Sequence, residues 1–202
     1  MPYNVWKYFQ KGYVLENYKC SFFGHRKIEI TEELKEKLNY IIEDLIAFNN
    51  VATFLFGSRS EFNDLCHRIV TELKSKYPHI KRIAYTCQNE SGFLESEKEH
   101  WERVYKSVLK KEAHLLFYEE EYHHKTKYSA GKASYVERNQ AMITNSDYCV
   151  FYYNQNYKPE LRKHSKQDFS HYQPKSGTAI AYTYAKAKKK NIINLFEINK
   201  KD

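Results

Sequence analysis

The sequence lacks the features that mark membrane-spanning or secreted chains. No apolar stretch approaches the length of a membrane-crossing helix, and residues 1–18 mix polar and aromatic side chains where a signal peptide would carry an apolar core. We therefore expect a cytoplasmic protein with neither a membrane span nor a membrane partner.

Recognisable metal-binding and redox motifs are also missing. The four cysteines show no CxxC spacing, and the nine histidines include neither HxxxH nor HExxH. Cys20, Cys87 and Cys149 lie inside or at the end of apolar runs. We therefore expect buried free thiols in a reducing compartment, and we identify no metal site and no cofactor.

Glycine and proline are scarce, with six and four residues, whereas the chain has 19 tyrosines and 12 phenylalanines. It has neither a Walker A loop nor a complete GxGxxG fingerprint, so these two phosphate-binding motifs are excluded. Hydrophobic residues at 42% exclude wholesale disorder, and 202 residues suffice for one α/β domain. The net charge of +8 favours an anionic partner, although the lysines clustered over 186–190 are typical of a solvated helix end.

Strand-like and helix-like segments alternate along the chain. Continuous apolar runs predict strands over 19–23, 51–56, 80–86, 115–118, 147–153 and 191–196. Helices are predicted after caps at Thr31 and Ser60 and over 91–111, 134–145 and 176–190, with polar loops at 119–132 and 154–174. This order predicts a Rossmann-like three-layer α/β fold with a mostly parallel central sheet.

The same pattern shows no internal repeat and no convincing domain boundary. We predict one domain over 19–202, with an insertion near 88–133 and a long loop at 154–174. Residues 1–18 form an aromatic extension that we expect to pack on this domain.

Three predicted strand-to-helix turns share a design, in which small or polar residues precede a helix start. They are Gly24-His25-Arg26, Gly57-Ser58-Arg59-Ser60 and Ser176-Gly177-Thr178. In a parallel sheet such turns lie on one edge, where helix starts offer free N–H groups and a partial positive charge. We predict that these residues bind a phosphate-bearing ligand. His25 could donate to it or simply pack against an aromatic ring.

Further site residues lie on the predicted helices. Arg138 and Asn139 precede a strand, and Arg138 could hold a phosphate, although a surface arginine is favoured on this segment alone. Phe62, or a loop tyrosine, could flank a base. Glu61 could serve as a carboxylate on the rim of the pocket or satisfy an N–H group of its own helix.

The order of these motifs resembles the SLOG superfamily, which includes the DprA-like proteins and the LOG cytokinin-activating hydrolases. The YpsA-like branch is the most similar, with its sequence of a GHR turn, an RN segment and a glycine-threonine turn. The resemblance spans roughly 19–196. It depends on three short segments, which are Gly24-His25-Arg26, Arg138-Asn139 and Ser176-Gly177-Thr178. It implies a Rossmann-like fold and a pocket for nucleotides or nucleotide-derived ligands.

The sequence departs from the LOG hydrolases where their acid supports cleavage of a nucleoside monophosphate. Ala181 stands at that position, so we expect no general acid or base there and leave catalysis open. The favoured hypothesis is a binder of a nucleotide-like signal or metabolite, by analogy in bacterial or phage stress or defence. The alternatives are a nucleotide N-glycosidase or phosphoribohydrolase that uses Glu61, a single-strand nucleic-acid-binding protein, and self-association into a homo-oligomer through loop tyrosines.

Overall fold

The computed structural model describes residues 17–57, 60–87, 118–125, 127, 132–157 and 176–198. Its strands are β1 (Tyr18–Gly24), β2 (Val51–Phe56), β3 (Lys81–Cys87), β4 (Glu120–His124), β5 (Tyr148–Tyr152) and β6 (Asn191–Asn194). Its helices are α1 (Glu32–Ala47), α2 (Glu61–Leu73), α3 (Lys132–Thr144), α4 (Gly177–Ala187) and the one-turn α5 (Leu195–Ile198).

The six strands form one sheet in the order β4-β3-β2-β1-β5-β6, and every neighbouring pair is parallel. The chain moves outward from β1 through β2, β3 and β4, and then returns to place β5 on the other side of β1. The order therefore reverses beside β1, and ligands of such sheets bind at the carboxyl ends of the strands next to the reversal.

Apolar side chains cover both faces of the sheet. On one face α1 and α2 pack in a cluster that contains Leu38, Phe54 and Ile69. On the other face α3 and α4 pack in a second cluster that contains Met142 and Ala185. Two helical layers thus enclose the sheet, which confirms the predicted three-layer fold.

The helix starts follow the predicted capping chemistry. The hydroxyl groups of Thr31 and Ser60 accept the backbone N–H groups of Leu34 and Asn63, respectively. All four cysteines are buried and free, as expected from their apolar surroundings.

One predicted loop is wrong. The sequence predicts a loop over 119–132, whereas β4 runs from Glu120 to His124 inside it. Most of the strand predicted over 115–118 lies outside the described residues. Because β4 is an edge strand of the described sheet, most of its side chains are exposed, so it carries no apolar signal. The predicted helix over 91–111 lies outside the described residues.

A buried ion pair joins the start of β3 to the segment before β4. Arg82 is only 1% exposed, and its guanidinium donates to Glu119 Oε1 at 2.7 Å and to Thr71 Oγ1 at 2.7 Å. Glu119 also accepts the backbone N–H of Arg82 and lies 3.1 Å from the Lys74 ammonium. This network fixes the edge strand to the body of the domain, and the sequence patterns did not predict it.

Two predicted absences concern the part of the chain that the structure describes. None of its helices has the length and apolarity needed to cross a bilayer. Nor do three or more His, Cys, Asp or Glu side chains there converge in a way that would hold a metal ion.

Candidate functional site

The turn after β1 and the starts of α2 and α4 meet at the carboxyl edge of the sheet. Thr178, at the start of α4, donates its hydroxyl to the carbonyl oxygen of Gly24 at 2.8 Å. At the start of α2, the N–H of Glu61 donates to the carbonyl of Arg26 at 3.0 Å. The predicted convergence of these segments on one edge is therefore present in the structure.

Gly24 permits the close approach of α2 to β1. A Cβ atom at Gly24 would overlap the Cβ of Phe62 and lie 2.6 Å from its Cδ1, far inside van der Waals contact. Phe62 is fully buried and stacks on Tyr152 at 5.8 Å between ring centroids. In this structure Phe62 fills the core beneath the turn, so its ring is not open to a base.

The start of α2 is largely occupied by the protein itself. The Ser60 hydroxyl accepts the Asn63 N–H, and the Glu61 N–H is bonded to Arg26. The Glu61 carboxylate accepts the N–H of Ile28 at 2.8 Å, which ties the β1–α1 loop to α2. Glu61 therefore has a structural partner in place, although this partner lies in the β1–α1 loop and not in its own helix. Asn63, which the sequence patterns did not single out, is 2% exposed with no hydrogen bond to its Oδ1.

The start of α4 is more open. Ser176 caps the helix by accepting the Ala179 N–H at 3.1 Å, while no described residue accepts from the amides of Gly177 and Thr178. Gly177 is exposed, and a Cβ atom there would meet nothing within 4 Å. Two amides at a helix start, with open space beside them, form a suitable place for an anion.

Arg138 is buried rather than on the surface. It is 4% exposed, and a Cβ atom at Gly57 would lie 3.1 Å from its Nε, so Gly57 leaves room for the guanidinium at the end of β2. The guanidinium also lies 5.1 Å from the ring of Tyr135. The surface position that the segment alone favoured is therefore wrong, because the packing of α3 on the sheet turns this side chain inward.

The remaining predicted site residues are Asn139, Arg26 and those of the second glycine turn. Asn139 is partly buried, and its Oδ1 atom accepts no hydrogen bond from the residues that the structure describes. Arg26 is exposed at the same edge as Gly24, and Ser58 and Arg59 lie outside the described residues. The predicted glycine turns are thus brought together, while the role of each side chain toward a ligand stays a prediction.

His25 lies at the reversal point of the sheet. Its Nε2 accepts the backbone N–H of Asn154, just after β5, at 3.0 Å, and its ring stacks on Tyr157 with centroids 3.8 Å apart. Burial lowers the pKa of His25. The aromatic packing weighed for His25 is present. Asn154 and Tyr157 were missed as its partners because the residues after β5 indicated only a polar loop.

Ala181 is the residue that the resemblance to the LOG hydrolases places at the position of their acid. Its side chain is 2% exposed and packs in the apolar cluster under α4. A carboxylate there would be buried against apolar groups, and burying a charge is costly unless it is paired and hydrogen-bonded.

The opposite edge of the sheet carries a polar cavity of about 330 Å³ next to the end of α4. Its lining includes Lys188, Lys189, Lys190 and Asp147. Lys188 and Lys189 are exposed, and Lys190 donates to the Thr144 carbonyl at the end of α3. This is the solvated helix end predicted from the lysine cluster, remote from the glycine turns.

The bond between Thr178 and Gly24 makes a first testable prediction. Thr178→Val keeps the shape of the side chain but leaves the buried Gly24 carbonyl without its hydroxyl donor, so we expect a loss of about 1–2 kcal/mol in the free energy of unfolding. Thr183→Val on the same helix removes an exposed hydroxyl that bonds only to Ala179 within the helix. It should change the stability by less than about 0.5 kcal/mol. Urea denaturation measures the stability of both variants, and equal losses would show that the bond between α4 and β1 contributes no more than a hydroxyl within the helix.

The comparison with known proteins agrees with this geometry. A family model for YpsA, described as the YspA SLOG family, matches residues 12–187, which include all three glycine turns and the Arg138 segment. No curated protein matches the chain. Since the match spans most of the chain and the fold has the expected layers, the chain belongs to the YspA SLOG family.

Proposed function

We propose that the protein binds a nucleotide, or a nucleotide-derived small molecule that carries a phosphate, at the carboxyl edge of the sheet between β1 and α4. Membership of the SLOG family supports a nucleotide-related role for the domain. The observation that carries the proposal is the start of α4, where no described residue accepts from the amides of Gly177 and Thr178, Gly177 is exposed, and Thr178 anchors the helix to Gly24.

The geometry favours α4 over α2 as the phosphate site. At α2 the amides of Glu61 and Asn63 are bonded to Arg26 and Ser60, so fewer donors remain for a ligand. At α4 the cap uses only the third amide of the helix. A phosphate would therefore receive two amide hydrogen bonds together with the positive end of the helix dipole.

Cationic side chains at the same edge support an anionic ligand. Arg26 is exposed beside Gly24, and the buried Arg138 lies against Gly57 at the end of β2. Arg59, one residue before the cap of α2, would add a third guanidinium. Guanidinium groups suit phosphate because they present several donors in a fixed planar fork.

Thermal unfolding in the presence of AMP, GMP, CMP, UMP and NAD tests the proposal. A ligand that binds only the folded state and is present at a hundredfold excess over its Kd stabilises that state by about 2.7 kcal/mol, which is several degrees in Tm for a chain of this size. A Tm that does not move with any of the five compounds would contradict binding of these ligand classes.

Gly177→Trp tests the position of the site. The indole would fill the open space beside the α4 amides without a clash, so we expect the fold to persist and the nucleotide-induced rise in Tm to disappear. Ala187→Trp is the matched control, because Ala187 is exposed at the other end of the same helix. Unchanged stabilisation in Gly177→Trp would place the ligand elsewhere.

The same samples separate binding from catalysis. Chromatography after incubation would reveal free base if the protein were a nucleotide N-glycosidase. Glu61 is already bonded to Ile28, and Ala181 is buried among apolar groups, so we expect intact nucleotides. Salt-dependent retardation of single-stranded DNA would instead favour the nucleic-acid alternative.

A further inference from the structure

His25 carries a buried hydrogen-bonding group that the fold leaves unused. The side chain is 4% exposed, and its Nε2 accepts the N–H of Asn154 at 3.0 Å. Its Nδ1 is also buried, yet no residue that the structure describes forms a hydrogen bond with it. Most buried polar atoms in native proteins have a partner, so a buried ring nitrogen without one at a ligand-binding edge requires an explanation.

The bond to Asn154 decides which nitrogen carries the proton. A nitrogen that accepts a backbone N–H must present its lone pair, so the proton of the neutral imidazole lies on Nδ1. Burial lowers the pKa of His25, which favours this neutral form. The unused group is therefore a donor, an Nδ1–H held in one orientation by the Asn154 amide and by the Tyr157 ring.

The backbone that carries His25 touches the start of α4. Nδ1 is the ring nitrogen bonded to Cγ, so it lies nearer to this backbone than Nε2 does. The preceding carbonyl, that of Gly24, is the one that accepts the hydroxyl of Thr178. The groups packed around the imidazole are the rings of Tyr153 and Tyr157 from the segment after β5, and Arg26 follows it in the chain.

We infer that His25 contacts the ligand as a neutral donor, with its Nδ1–H bonded to an oxygen of the phosphate that the α4 amides hold. Asn154 is then a positioning residue, whose backbone amide sets the tautomer. The inference rests on the proposed function, and it adds a requirement on the ligand: the atom facing His25 must be a hydrogen-bond acceptor.

Side-chain ¹⁵N NMR of the wild-type protein tests this directly. We expect His25 to show a protonated Nδ1 and an unprotonated Nε2 near neutral pH. The nucleotide that gives the largest Tm rise among AMP, GMP, CMP, UMP and NAD should shift the Nδ1 and Hδ1 resonances while leaving the tautomer unchanged. A protonated Nε2, or bound nucleotide without a response at Nδ1, would overturn the inference.

Two substitutions distinguish a ligand contact from a structural role. His25→Gln keeps an acceptor near the Nε2 position for the Asn154 N–H but has no donor at the Nδ1 position. His25→Asn keeps a donor near the Nδ1 position but loses the acceptor for the Asn154 N–H. If His25 contacts the phosphate, His25→Gln should weaken nucleotide binding by about tenfold or more, and His25→Asn should weaken it by less.

A purely structural histidine would give the opposite order in calorimetric titrations, with His25→Asn the weaker binder, and that result would refute the inference. Should no compound of the panel bind the wild-type protein, the proposed function fails and the inference fails with it. Binding without an Nδ1 response defeats the inference alone.

Discussion

Glu119→Gln should lower the free energy of unfolding by about 2–3 kcal/mol. The substitution removes the negative charge opposite the Arg82 guanidinium, which is 1% exposed and bonded to Glu119 Oε1 at 2.7 Å. Breaking a fully buried ion pair costs about 3–5 kcal/mol because the remaining charge is left uncompensated. We expect less here because the Glu119 side chain is 28% exposed and water can partly replace it.

Glu120→Gln provides the matched control on the adjacent residue. Glu120 pairs with Lys81 at 2.9 Å, and both side chains are more than half exposed. Such surface pairs contribute between zero and about 1 kcal/mol. Urea denaturation of the two variants should therefore give clearly different midpoints. Similar midpoints would mean that the buried network does not fix the edge strand.

The same pair should make the stability depend on acid. Burial raises the pKa of Glu119, but hydrogen bonds and the charge of Arg82 lower this pKa by more than burial raises it. The folded-state pKa of Glu119 therefore lies below its ordinary value. A lowered carboxyl pKa stabilises the fold above the unfolded-state pKa, and this contribution is lost as the pH falls through the folded-state pKa. We expect the wild-type protein to lose stability below about pH 4.5 and Glu119→Gln to lose less over that interval.

Gly24→Ala should also destabilise the fold strongly, by about 3 kcal/mol, which is the upper end for overpacking a core. The added Cβ would overlap the Cβ of Phe62, an atom that cannot rotate away because it is bonded to the α2 backbone. Relief would require α2 to move from β1, which would also strain the bonds from α2 to the β1–α1 loop.

Gly177→Ala is the control for glycine replacement itself. It adds the same methyl group at the start of α4, where nothing lies within 4 Å. We expect its stability to be unchanged or slightly higher, because alanine restricts the unfolded chain more than glycine does. Thermal unfolding compares the two, and a Gly24→Ala protein as stable as Gly177→Ala would contradict the close packing of α2 on β1.

Much of the fold could be predicted because its signals are local. A strand buried on both faces is a continuous apolar run in the sequence. Such runs predicted the ends of β1, β2 and β5 to within two residues, from the segments 19–23, 51–56 and 147–153. Capping hydroxyls are local too, which is why Thr31 and Ser60 were recognised. β4 was predicted to be a loop because an exposed edge strand has no apolar run.

The site was predictable as a set of turns but not as a set of contacts. Glycine followed by polar residues before a helix is visible in the sequence, and a parallel sheet brings such turns to one edge. The bond from Asn154 to His25 spans 129 positions and exists because β5 lies beside β1, which depends on the strand order. The inward position of Arg138 likewise depends on how α3 packs against Gly57, which no local pattern records.

The central place of β1 has a consequence for how the protein is made. β1 is synthesised before β5, one of its two partners, which begins only at Tyr148. Until β5 has been made, the edge of β1 that will pair with it has backbone groups without a neighbouring strand, the kind of template on which nascent chains aggregate. Chaperones that shield strand edges would act in that interval.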